Sequence, residues 1–164
     1  MHAPTSSPTE IRIRRLVRTY HVGETAIHAL RGVDLEVAAG DFLGIIGVSG
    51  SGKSTLLHLI GGLDSPTSGD VDVAGKSLGG MSRRQRSHFR RSTVGFVFQS
   101  FYLVPTLSAE ANVRLALTFQ GVYGAKRTNR SLAALDRVGL ADRRDHRPGQ
   151  LSVGQQQRVA VARA

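Results

Sequence analysis

The chain has 164 residues, 40% of them apolar, no cysteine and a formal net charge of +10. That is the size of one ordinary domain with enough apolar content for a core, and it excludes a disulfide framework, a thiolate nucleophile and any cysteine-based metal site. The positive balance would suit nucleic acid or an anionic surface, but the arginines are scattered, and their densest group, Arg83, Arg84, Arg86, Arg90 and Arg91, reads as the solvated face of one short helix.

Residues 1–10 are rich in Pro, Ser and Thr and lack the apolar stretch of a signal peptide, so a disordered tail is expected there. No run reaches the length of a membrane span, and a soluble, cytoplasmic chain is expected. Ile11 to Arg14 alternates apolar and charged residues as an edge strand does, Leu16 to Tyr20 continues it, and Gly23 breaks it. Val33 to Val37 alternates again and stops at the turn Ala38-Ala39-Gly40-Asp41, which predicts a small antiparallel layer. Taken alone, Tyr20 reads as a packed or surface aromatic.

Phe42 to Ile46 is an apolar run that suits a buried parallel strand, and Ser54 to Ile60 suits a helix. Between them Gly47-Val48-Ser49-Gly50-Ser51-Gly52-Lys53-Ser54-Thr55 satisfies the phosphate-loop pattern GxxxxGK[ST]. Given this chain's own residue frequencies, the bare pattern arises by accident on the order of once in two hundred such chains. Strand, loop and helix around it make accident rarer still. Gly47, Gly50 and Gly52 let the backbone turn its N–H groups toward one anion at a helix N-terminus. Lys53 is placed to reach the β and γ phosphates of a bound triphosphate, and the Ser54 hydroxyl to ligate Mg²⁺.

Gly61-Gly62 closes that helix, a dense turn cluster runs from Leu63 to Gly69, and Asp70 to Ala74 alternates as a strand before Gly75. Residues 81–91 read as a polar helix. Val94 to Phe98 is a second apolar run of strand type, ending at Gln99, which alone could be the first residue of an ordinary loop. From Ser108, a capping residue, a helix is predicted to Phe119, and Leu132, Leu135 and Val138 lie on the next, closed by Gly139. The charged stretch from Asp142 to Gly149 then leads to Leu151-Ser152-Val153-Gly154-Gln155 and a final helix.

With that last segment the chain resembles the ATP-binding subunit of an ABC transporter over residues 10–164. Leu151 to Gln155 is similar to the LSGGQ signature, Gly47 to Thr55 to the Walker A element, Gln99 to the Q-loop glutamine and Tyr20 to the adenine-stacking aromatic. Gly62 to Gly69, Val94 to Gln99 and the run Gln155-Gln156-Gln157 are most similar to the macrolide-export and lipoprotein-release branch. The resemblance implies an α/β fold, a P-loop NTPase of the ABC nucleotide-binding type, with a β layer and Walker A/Q-loop core over 11–104. A helical subdomain over 105–150 and the signature motif with its helix over 151–164 would follow.

The resemblance implies ATP and Mg²⁺ as cofactors, held by Tyr20, Gly47, Ser49, Gly50, Ser51, Gly52, Lys53, Ser54 and Thr55, with Ser54 and Gln99 at the metal. It implies a homodimer with two ATP molecules sandwiched between subunits, where Ser152, Gly154 and Gln155 of one signature face the nucleotide of the other. A membrane-spanning permease would be the partner, at the inner face of the cell membrane, rather than nucleic acid. Two departures stand out. Val153 replaces the signature's first glycine, and a β-branched residue is expected to restrict the backbone beside that contact. No residue matches the Walker B aspartate, catalytic glutamate or switch histidine, so a truncated copy that binds ATP without hydrolysing it is expected, the catalytic match being Gln99 alone. In such a copy Phe42 to Ile46 and Val94 to Phe98 would lack the strands between them. A non-catalytic nucleotide-binding regulator, and a soluble ABC ATPase acting on nucleic acid or the ribosome, remain open as alternatives.

Overall fold

A four-stranded antiparallel sheet of order β2-β1-β3-β4 frames the first of two units in the computed structural model, which describes residues 9–164. The strands are β1 (Thr9–Val22), β2 (Thr25–Ala38), β3 (Ser68–Val73) and β4 (Lys76–Ser77). The expected tail lies outside the described residues except for Thr9 and Glu10, which belong to β1. Ile13 pairs with Leu35 on one side and Val71 on the other, so alternate residues of the central strand reach one buried face with Leu16, Leu30 and Val73. β1 is irregular between Arg14 and Val17, where Arg15 takes a left-handed conformation (φ 45°). Gly69 (φ +84°) fits beside that irregularity, since a Cβ on it would run into the Arg14 and Arg15 carbonyls.

Helix α1 (Lys53–Ile60) packs on β2 and β3 through Leu56 and Leu59, and α2 (Arg83–Thr93) buries Phe89. Ser82 and Gln85 start α2 with reciprocal bonds, Gln85 Oε1 accepting from the Ser82 N–H at 2.8 Å. The arginines of α2 are more than a solvated face. Arg90 donates to the Gly62 carbonyl (2.8 Å) and Arg86 to the Ser65 hydroxyl, so two of them hold the loop after α1, whereas Arg83, Arg84 and Arg91 are exposed.

The second unit, Val94 to Ala164, packs α3 (Ala109–Phe119), α4 (Gly124–Arg137) and α5 (Val153–Arg163) around Ala109, Val113, Leu135, Leu140, Leu151 and Val159. Ser108 caps α3 by accepting from the Ala111 N–H (3.2 Å), and Gly139 (φ +67°) turns the chain out of α4.

Two expectations are overturned. Phe42 to Ile46 and Val94 to Phe98 are not strands, and the first is not buried, Phe42 and Ile46 being 101% and 95% exposed. An apolar run becomes a strand only where another backbone takes up its N–H and C=O groups, and the sheet of β1 to β4 offers a neighbour to neither.

Candidate functional site

The loop after Ile46 bends on its glycines and ends in α1. Gly52 (φ 91°) precedes Lys53 as the cap and no side chain bonds the first turn, which leaves the leading N–H groups of α1 available to an anion. A Cβ at Gly47 would stand 2.8 Å from Ser51 Oγ and 3.9 Å from Lys53 Cδ, so a side chain there would push the Ser51 hydroxyl out of its place on the concave side of the loop. The Lys53 ammonium folds across that concavity and donates to the Gly47 and Val48 carbonyls (2.9 and 2.7 Å) and, longer, to Ser51 Oγ (3.4 Å). The hydroxyl residues Ser49, Ser51 and Ser54 are exposed around it; Thr55 is half-buried.

This donor set fits a polyphosphate. It combines backbone N–H groups, hydroxyls and one ammonium whose present acceptors are mostly neutral carbonyls, weaker partners for a cation than phosphate oxygens. Among the described residues no three His, Cys, Asp or Glu side chains gather to hold a metal. The exposed Ser54 hydroxyl beside the loop is an oxygen ligand of the kind that Mg²⁺ takes next to phosphates.

Tyr20 sits two residues before the end of β1, opposite Ile27 of β2. Its hydroxyl donates to Asp64 Oδ2 (2.8 Å), and the Arg18 guanidinium lies 4.4 Å above the ring centroid while pairing with Asp64 Oδ1 (2.9 Å). The loop is fixed to the same strands: a Cβ at Gly52 would meet the Ala29 carbonyl at 2.5 Å, and Leu30, the next residue, pairs with Arg18.

The second unit carries the other candidates. Gln99 is exposed in a turn, followed by Phe101 and Tyr102, both left-handed (φ 56° and 47°) without being glycine. Arg163, at the end of α5, donates to both of their carbonyls at 2.5 Å each, and burial holds its pKa below the ordinary arginine value. Ser152 caps α5 in a reciprocal box, its Oγ accepting from the Gln155 N–H (3.3 Å) and Gln155 Oε1 accepting from the Ser152 N–H (2.9 Å). Gly154 faces open space. Val153 is the first residue of α5 and 71% exposed, so its isopropyl group projects from the start of that helix beside Ser152.

Sequence reasoning missed Arg18 and Asp64 as partners of Tyr20, Arg163, and Asn112. Fully buried, Asn112 accepts from the Val104 N–H (2.8 Å) and donates to the carbonyls of Val104, Leu107 and Ser108. Its signal was a polar amide beside Val113 on the apolar side of a predicted helix.

Residues 30–164 match the family model described as ABC transporter. The pyoverdine export ATP-binding/permease protein PvdT of Pseudomonas fluorescens (strain Pf0-1) is 46% identical over 155 residues, which are 94% of this chain and 24% of that protein. The macrolide export ATP-binding/permease protein MacB of Brucella melitensis is 45% identical over 154 residues, again 94% and 24%. An uncharacterized ABC transporter ATP-binding protein of Thermotoga maritima is 50% identical over 147 residues, 90% of this chain and 63% of that one. The chain thus spans about a quarter of the length of the export relatives. Among solved structures, a dimeric post-hydrolysis state of the ATP-binding cassette MJ0796 with ADP and Pi superposes with a TM-score of 0.85 at 42% identity, covering 93% of this chain and 68% of that one.

Proposed function

Because the chain belongs to the ABC transporter family, as the match over residues 30–164 shows, we propose that it is the ATP-binding part of an exporter. In this reading it binds Mg-ATP on the loop from Gly47 to Thr55, with adenine against Tyr20. Ser152, Gly154 and Gln155 face the nucleotide of a second copy across an ATP sandwich, and Gln99 with the helical unit passes the motion to a membrane-spanning permease at the cytoplasmic face. The names of the PvdT and MacB relatives support export, and the dimeric form of MJ0796 supports the sandwich. The observation that carries the reading is the loop from Gly47 to Gly52, spanned by the Lys53 ammonium and opening into the uncapped N-terminus of α1.

Ser54 would help to hold Mg²⁺, which would neutralise phosphate charge when bound. The chain's own part is positional: the first-turn N–H groups and Lys53 hold the phosphates, Ser54 offers its hydroxyl, and Tyr20 orients the base. Within residues 1–164 no carboxylate is assigned the role of activating water. Asp70 and Asp72 lie on β3, Asp136 on α4 and Asp142 in the turn after it. Binding without turnover is therefore proposed for these residues alone.

Calorimetry with Mg-ATP tests the binding. Lys53→Ala should weaken it at least about tenfold, since a charge-assisted contact of roughly 1.5–3 kcal/mol is removed. Undiminished affinity in that variant would contradict the reading, and phosphate release that vanishes in Lys53→Ala but persists in the wild-type chain would contradict the absence of turnover.

A further inference from the structure

Tyr20 is held by more than its own strand. The chain leaving α1 turns back on itself, with the N–H groups of Leu63 and Asp64 donating to the His58 carbonyl (2.8 and 3.3 Å). Arg90 and Arg86 of α2 fasten this loop on either side of Asp64, at Gly62 and Ser65. Asp64 then divides its carboxylate. Oδ2 accepts from the Tyr20 hydroxyl, while Oδ1 accepts from the Ser65 N–H (2.7 Å) and pairs with Arg18. The guanidinium of Arg18 covers one face of the half-buried Tyr20 ring, so a stacking partner would have to take the opposite face.

We propose that Arg18 and Asp64 are positioning residues that fix the Tyr20 ring as a platform for the base, an inference that rests on the nucleotide-binding reading above. The pair links the end of the phosphate-binding helix to the aromatic ring, so phosphate and base subsites are set by one frame. A ring already ordered before binding loses less freedom when a base stacks on it, so the benefit falls on the base contribution and not on the phosphates. The pair is well placed to do this, for its side chains are only 21% and 26% exposed and solvent screens it less than a surface ion pair.

The test compares Mg-ATP with Mg-tripolyphosphate, which has the phosphates and no base. In Asp64→Asn and Arg18→Met, ATP affinity should fall about five- to tenfold, the scale of one lost hydrogen bond or ion pair, while tripolyphosphate affinity stays unchanged. Tyr20→Ala with Asp64→Asn should bind ATP no more weakly than Tyr20→Ala alone. Tyr20→Phe keeps the ring and the carboxylate and serves if Asp64→Asn does not fold; a loss of about threefold for ATP only is expected. Equal weakening of both ligands would assign Arg18 and Asp64 to the loop's stability instead, and unchanged ATP affinity in Tyr20→Phe and Arg18→Met would overturn the platform. Lys53→Ala separates the two readings, because it should weaken both ligands alike. A wild-type chain that binds neither ligand would overturn both.

Discussion

Gly52 and Gly50 are both left-handed, yet their surroundings set different costs for a side chain. At Gly52 a Cβ would meet the Ala29 carbonyl at 2.5 Å and Leu30 Cδ2 at 2.9 Å, whereas at Gly50 (φ +78°) nothing lies within 4 Å. Gly52→Ala should therefore cost about 2–4 kcal/mol, from left-handed backbone plus overpacking, and Gly50→Ala only about 1 kcal/mol. Urea unfolding of the two variants measures the difference, and equal losses would mean that the loop does not lie against β2. Asn112 is the corresponding residue of the second unit. Asn112→Ala leaves the Val104 N–H and the Leu107 carbonyl without their partner, while the Val104 and Ser108 carbonyls keep the N–H groups of Leu107 and residue 112, at a cost on the order of 2–4 kcal/mol. A loss below about 1 kcal/mol would show that water replaces the amide.

At the scale of elements, α5 carries two jobs at its two ends. Its 11 residues span about 16 Å, with the Ser152 box at one end and Arg163 on the left-handed pair Phe101 and Tyr102 at the other. Because Tyr102 is left-handed (φ 47°), Tyr102→Gly should be more stable than Tyr102→Ala by about 1–2 kcal/mol, since only glycine is free of the Cβ penalty. Thermal unfolding decides it, and the reverse order would contradict the geometry. The start of α3 at Ser108, the close of α1 at Gly61 and the close of α4 at Gly139 were all legible in the sequence, because capping and helical periodicity act within a few residues. The sheet was legible only in part. Val33 to Val37 showed its alternation, but Thr25 to Gly32 of β2 gave no such pattern, and the pairing of β1 with both β2 and β3 depends on residues up to about sixty positions apart in sequence. Phe42 to Ile46 misled for the same reason: apolarity is local, whereas strand pairing needs a neighbour. The phosphate loop was fully legible as a pattern; the Arg18–Asp64 hold on Tyr20 was not, since charged residues 46 positions apart announce no partner.

For the molecule as a whole, stability is concentrated in the two cores and not in the apolar runs that lead to Gly47 and Gln99. Hydrogen exchange should be slow at Ile13, Val71 and Leu135 and fast through Phe42–Ile46 and Val94–Phe98, whose backbones have no place in the sheet. Strong protection of both runs in the 164-residue chain would mean that they pair in some other way. Binding of ATP on the loop from Gly47 to Thr55 is the proposal on which the rest depends. It is tested most directly by following the backbone amide resonances during titration with Mg-ATP. Saturable shifts centred on Gly50 to Thr55, with a smaller response at Tyr20, are expected, and in Lys53→Ala saturation should need at least about tenfold more Mg-ATP; shifts that leave the loop untouched, or that saturate as readily in Lys53→Ala, would contradict ATP binding on this loop.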